Sequence, residues 1–176
     1  MRILKKIGLF ILALIGLILI VAVFVNKEYA VERNIVINKP PQAVFNYVKY
    51  IKNQDYFHTW AMLDTNCRRE YKGVDGTKGY NVAWDSDNSD VGKGEQQITN
   101  IEEGKRIDYG LRFIEPFEGN ATAYMTTAPQ NNQTVVTWGM NGETNYPMNL
   151  MNLFMDRMLG GDMESSLQRL KVNVEK

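Results

Sequence analysis

Histidine and cysteine are nearly absent: the 176-residue chain holds one of each, His58 and Cys67. One cysteine excludes an internal disulfide, so stability must come from a packed core. One histidine excludes a metal site built from several histidines, and it confines any Ser-His-Asp arrangement to that residue. Excess charge of either sign is also missing, with 20 basic against 20 acidic residues. The balance is uneven along the chain. Arg2, Lys5 and Lys6 give residues 1–25 a charge of +3 with no acid, and a total of zero then leaves −3 for the rest. A mildly acidic domain is poorly suited to nucleic acid, whose phosphates are held by basic patches, so no nucleic-acid partner is expected.

Motifs that carry chemistry are scarce as well. "GVDGTKG" (73–79) lacks the G-x-x-x-x-G-K-S/T spacing of a phosphate loop and no helical pattern follows it, so it reads as a turn. "DSDNSD" (85–90) departs from an EF-hand loop and has no glycine for the sharp bend, which makes it a solvated hairpin tip. Glu115 and Glu118 resemble a carboxylate pair, but Pro116 and Gly119 mark a bend where acids face water. His58, in "YFHTW", reads as a loop residue bonded to backbone or solvent. No catalytic residue, metal or cofactor is expected on these grounds.

What the sequence does hold begins with "IGLFILALIGLILIVAVFV" (7–25), 19 residues without a charge. At about 1.5 Å per residue it reaches roughly 29 Å, close to the hydrocarbon thickness of a bilayer. A secretory signal has a shorter apolar stretch and a small-residue cleavage site, and "VFVNKEYA" offers no good one. Residues 1–28 are therefore expected to be a single-pass membrane anchor with a short joint, followed by one domain over 29–176. Basic residues precede the run, which places the N-terminus in the cytoplasm and the domain outside it.

The domain opens with "YAVERNIVIN" (29–38), a strand, then a helix over 38–51 with Asn38 as its cap and Val44, Phe45, Val48 and Ile51 on one face. A short helix and loop are expected over 53–63. Six strands follow near 66–72, 79–85, 91–102, 105–115, 119–128 and 133–143, divided by turn sequences. Alternation puts Tyr80, Val82 and Trp84 on one face, with Ile107, Tyr109, Leu111 and Phe113, and with Val136, Trp138 and Met140. The C-terminus is helical. "MNLMNLFMDRM" (148–158) spaces Met148, Met151, Met155 and Met158 along one side, "GG" (160–161) is expected to interrupt, and Asp162 to start a second helix with Met163, Leu167, Leu170 and Val174 as its stripe. This order argues α+β: a curved antiparallel sheet of seven strands with one apolar face, closed by a long C-terminal helix.

The order, together with "VERNIVINKPPQAVFNYV" (31–48), Trp60, residues 91–119, "TVVTWGMNGETN" (134–145) and "MNLFMD" (151–156), resembles the START-like or SRPBCC superfamily of helix-grip proteins. The branch it most resembles is the bacterial polyketide cyclase/dehydrase-like group. The resemblance covers the chain after residue 28 and leaves the apolar N-terminal segment outside. It implies a seven-stranded sheet gripping the C-terminal helix around an apolar cavity, in a family of lipid carriers, metabolite binders and cyclases. Methionines fill irregular space and tolerate varied partners, so the Met-rich helix facing an aromatic sheet is expected to line a pocket for a small hydrophobic or lipid-like ligand. The expected lining is Trp60, Tyr80, Trp84, Tyr109, Phe113, Tyr124, Trp138, Met140, Met151, Phe154, Met155 and Met158, with Tyr80, Tyr109, Tyr124 and Asn145 as polar groups. The alternatives are a cyclase- or hydrolase-like enzyme in the same cavity, and an interaction domain whose grip is filled by its own side chains.

Overall fold

Val-, Ile- and aromatic-rich segments divided by glycine and asparagine turns become the strands of one sheet. The computed structural model describes residues 2–176; Met1, counted above with the anchor, lies outside them. A helix α1 (Arg2–Phe24) leads into β1 (Glu28–Ile37), followed by α2 (Pro41–Val48), a 3-10 turn over Ile51–Tyr56 and a short α3 (Thr59–Leu63). Then come β2 (Arg68–Lys72), β3 (Asn81–Asp85), β4 (Lys93–Glu102), β5 (Arg106–Glu115), β6 (Gly119–Gln130) and β7 (Gln133–Glu143). A second 3-10 turn, Met148–Met151, opens α4 (Asn152–Glu175). The seven strands run in the order β1-β7-β6-β5-β4-β3-β2, each antiparallel to its neighbours. All seven expected strands are present. The fold is α+β, a helix grip with an apolar helix at its N-terminus.

Two local expectations are corrected. Asn38 does not cap α2. Pro40 is held extended (φ −63°, ψ 148°) because Pro41 follows it, so the helix begins only at Pro41. The Asn38 amide instead donates to Glu175 Oε1 at 2.6 Å, tying the end of β1 to the end of α4.

The second correction concerns the glycine pair. α4 runs unbroken through Gly160 and Gly161, and Asp162 lies inside it. The reason is close approach rather than chain breaking. Arg33 on β1 donates to Asp156 at 2.8 Å and to Glu164 at 2.6 Å, so its guanidinium crosses the helix between them. A Cβ on Gly160 would lie 2.1 Å from Arg33 Nη2, whereas one on Gly161 would meet nothing within 4 Å. Opposite signs are expected from two alanine substitutions. Gly161→Ala should stabilise the fold by about 0.5–1 kcal/mol through helix propensity, and Gly160→Ala should destabilise it by displacing Arg33. Denaturant unfolding of the full chain reads both.

Continuity of α4 sets one phase for its whole inner stripe. Met163, Leu167 and Leu170 are fully buried in a core shared with Val44, Phe45, Ile98, Ile107 and Val136. One and two turns earlier, Leu159 and Met155 are only partly buried against that core. The grip is therefore packed solid at one end and loose at the other.

α1 is joined to the domain at the loose end. Asn149 Nδ2 donates to the carbonyls of Ala22 (2.7 Å) and Val25 (2.8 Å), satisfying acceptors left open at the helix terminus. Asn152 Nδ2 does the same for Asn26 (2.9 Å) and Lys27 (2.7 Å). The rest of α1 exposes its apolar side chains almost throughout, and Ile3–Phe24 is long and apolar enough to cross a membrane.

Candidate functional site

Small residues make the floor of the loose end. Ala123 on β6 pairs with Tyr109 on β5 and Met140 on β7, so a shallow row runs between two bulkier ones. Above it the 3-10 turn presents Met151 and α4 presents Met155 and Leu159, and the space is not closed. A cavity of about 1110 Å³ remains, larger than most drug-sized ligand sites. Its walls are aromatic. His58 lies 4.8 Å from the Trp138 ring and 5.1 Å from Trp60, and Trp60 meets Trp138 edge-on at 6.3 Å. Across the floor, Trp84 meets Phe113 edge-on at 6.2 Å.

Of the expected lining residues, Trp60, Trp84, Tyr109, Phe113, Trp138, Met140, Met151 and Met155 surround this hollow, as does Asn145. Tyr80, Tyr124, Phe154 and Met158 do not. Tyr80 is buried beside the hollow, stacked on Tyr71 with ring centroids 6.5 Å apart. Tyr124 alternates with Ala123 and Met125 and so lies on the opposite face, where its hydroxyl donates to Glu32 and Arg106 stands 4.1 Å over its ring. Phe154 and Met158 are exposed, because the unbroken phase of α4 puts Leu159, not Met158, one turn after Met155.

Other lining residues were not anticipated. Leu111, Ala123 and Met125 follow from strand alternation, and Leu159 from the helical repeat. Tyr29, Gln54, Arg69, Phe117 and Tyr146 come from turns, strand ends or a neighbouring edge, where no periodicity announces a direction, whereas Met148 begins the methionine side already expected to face the pocket. Phe117, Tyr146 and Met148 are exposed and stand at the rim. Tyr146 also reaches α1, its hydroxyl 3.4 Å from the Leu19 carbonyl. The rim and the last turns of α1 are thus one surface.

Two polar atoms of the hollow are buried without a partner. Tyr109 is buried, its hydroxyl finds no partner within hydrogen-bond geometry, and burial pushes its pKa up, with Asp75 adding to the shift and the neighbouring Gln54 side chain opposing it. The Nδ1 atom of His58 is likewise buried and unpartnered. Burial, reinforced by the charges of Arg169 and Arg69, pulls His58 down to about 3. Among the described residues, no three His, Cys, Asp or Glu side chains converge as a metal site.

Residues 29–175 match the family described as polyketide cyclase / dehydrase and lipid transport. The chain belongs to that family. None of the curated proteins compared with it matches by sequence. Solved structures share the fold at low identity. Protein CV1439 from Chromobacterium violaceum is 16% identical, with a TM-score of 0.60 over 84% of this chain and 97% of that one. The di-domain ARO/CYC StfQ from the steffimycin biosynthetic pathway gives 12% identity and a TM-score of 0.64, over 84% of this chain and 51% of that one. Truncated norcoclaurine synthase from Thalictrum flavum gives 9% and 0.62, over 84% and 93%.

The histidine has a consequence for stability. An unfolded imidazole takes up a proton near pH 6.5, while the folded one stays neutral until about pH 3. Stability is then full above pH 6.5 and falls as the pH drops below it. Between pH 7 and pH 5 the loss from this group is about 2 kcal/mol. Urea unfolding at the two pH values should show that difference in the wild type, and His58→Gln should remove it.

Proposed function

We propose that the protein is a membrane-anchored binding module that holds a small hydrophobic or lipid-like molecule between its sheet and α4. Residues 1–28 serve as anchor and joint, and 29–176 as the ligand-holding domain. The observation that carries this reading is the hollow of about 1110 Å³, walled by Trp60, Trp84, Trp138, Phe113, Met151 and Met155. A guest burying about 300 Å² of apolar surface gains roughly 7 kcal/mol. Association costs several kcal/mol, so micromolar binding needs no charged anchor. A cyclase-type reaction in the same hollow would need a proton carrier, and a histidine with a pKa of about 3 is a weak base.

The rim supports a direct path between bilayer and hollow. Phe117, Tyr146 and Met148 are exposed around the opening, and Leu153 and Phe154 are exposed beside it on α4. This apolar collar adjoins the end of α1 that Asn149 and Asn152 hold in place. With α1 spanning the bilayer, Tyr146 would stand at headgroup level, where amphipathic aromatic rings are favoured. Lys5 and Lys6 before the apolar run support a cytoplasmic N-terminus and an extracytoplasmic domain.

A spacer tests the coupling. About 30 flexible residues inserted after Asn26 should slow uptake of an anthracene-bearing lipid from vesicles about tenfold, because the hollow loses its high local lipid concentration. Energy transfer from the three tryptophans, all of which line the hollow, reports uptake. Equal uptake rates with and without the spacer would remove the anchor's proposed part.

A further inference from the structure

Two buried polar atoms in the hollow have no partner: Nδ1 of His58 and the hydroxyl of Tyr109. A buried polar atom left unpaired bears its full desolvation penalty, and native interiors contain few of them. Tyr109 rises from the sheet, 2% exposed, while His58 stands on the wall formed with Trp60 and Trp138. Gln54, one turn before His58, lines the same region and accepts the His58 amide on its carbonyl at 2.8 Å. A tyrosine hydroxyl donates and accepts, and Nδ1 of a neutral imidazole takes either role according to its tautomer. Together they suit an uncharged oxygen group.

The charges around the hollow point the same way. Of the five carboxylates and two basic side chains that line it, Asp90, Glu115, Glu118 and Glu143 are exposed, which leaves Asp55, Lys52 and Arg69. Arg69 is taken up by Asp55 and by the Ala61 carbonyl at 3.0 Å. Lys52 stands on the exposed surface, 4.9 Å over the Tyr71 ring. Arg169, the other cation acting on His58, donates to the Phe57 carbonyl at 3.0 Å and to Thr59 Oγ1. An anionic head at the buried end would therefore find Arg69 already paired with Asp55 and Arg169 turned onto neutral oxygens, and a desolvated charge without a partner is strongly disfavoured.

We propose that the ligand is an uncharged amphiphile: an apolar body whose buried end carries a hydroxyl or carbonyl oxygen held by Tyr109 and His58, in a hollow that rejects carboxylates and phosphates. This rests on the reading of the hollow as a ligand site.

Brominated probes separate the possibilities, since bromine quenches tryptophan only on close approach and every tryptophan of the chain lines the hollow. The full chain in lipid nanodiscs at about pH 8 is titrated with bromoundecanol, bromoundecanoic acid and bromoundecane, each scaled to its content in the bilayer. Bromoundecanol should quench at about tenfold lower concentration than the ionised acid. Tyr109→Phe should weaken the alcohol about fivefold and leave bromoundecane unchanged, which also shows that the variant is folded. His58→Phe gives the same comparison for the second polar group. Equal quenching by acid and alcohol, or an alcohol preference that survives both substitutions, would overturn the inference while leaving the hollow as a ligand site. Failure of all three probes to quench would overturn the ligand reading and this inference together.

Discussion

Ala123→Glu should lower the affinity for an apolar guest at least about a hundredfold while leaving the domain folded. Ala123 lies on the floor of the hollow between Tyr109 and Met140, so a longer side chain there points into open space. Bulk alone would be a weak test, because one extra ring fills little of about 1110 Å³. Charge is stronger. In the empty hollow the carboxylate keeps its water, and folding costs little. A hydrophobic guest must strip that water, a penalty of about 3 kcal/mol or more with no cation free to offset it. Ala123→Gln, of equal size and uncharged, should fall between the two. Energy transfer to an anthracene-bearing lipid measures the affinities. Wild-type binding by Ala123→Glu would mean that the guest sits elsewhere.

Gly94→Val should destabilise the fold by about 3 kcal/mol and lower the melting temperature by roughly 10 °C. Gly94 sits on β4 at a register shift, beneath the Trp84 ring. A Cβ there would lie 2.4 Å from Trp84 Cζ2 and 2.5 Å from the Arg112 carbonyl. The carbonyl belongs to the neighbouring strand and cannot turn away, so the strands must part or the indole must move. Trp84 is held by its Nε1–H bond to the Val91 carbonyl at 3.2 Å and by its edge contact with Phe113. Moving it reshapes one wall of the hollow, and ligand affinity should fall along with stability. Calorimetry of the full chain reads the first effect. An unchanged melting temperature would show that this packing is slack.

The strand segments and the apolar face of the sheet were legible because alternation is a short-range signal that a buried face enforces residue by residue. Tyr109, Leu111 and Phe113 on β5 lie where that period puts them. Placing Tyr124 in the cavity as a polar group goes against its own alternation with Ala123, and its hydroxyl bonds Glu32 on the other face. The end of α4 failed differently. A glycine pair reads as a helix break unless a long-range contact is known, and the Arg33 guanidinium that explains Gly160 comes from a strand far away in sequence. With the break removed, the helical phase carries from Met151 to Val174, and Met158 turns outward. The asparagines that hold α1 were invisible for the same reason: Asn149 and Asn152 are ordinary helix-start residues until the carbonyls of Ala22 and Lys27 are brought to them.

The hollow itself was inferred from composition, namely methionines facing aromatics. Periodicity locates a face but cannot say whether the face is filled. The difference lies in side-chain volumes summed across the layers: Ala123, Met155 and Leu159 border the open end, while Ile107 and Leu167 are buried in the core.

Native mass spectrometry of the full chain released from lipid nanodiscs tests the central claim most directly. The wild type should carry one hydrophobic molecule per chain, and Ala123→Glu should carry none. A wild type that emerges empty and takes up no anthracene-bearing lipid, or an Ala123→Glu chain that keeps the same guest, would contradict it.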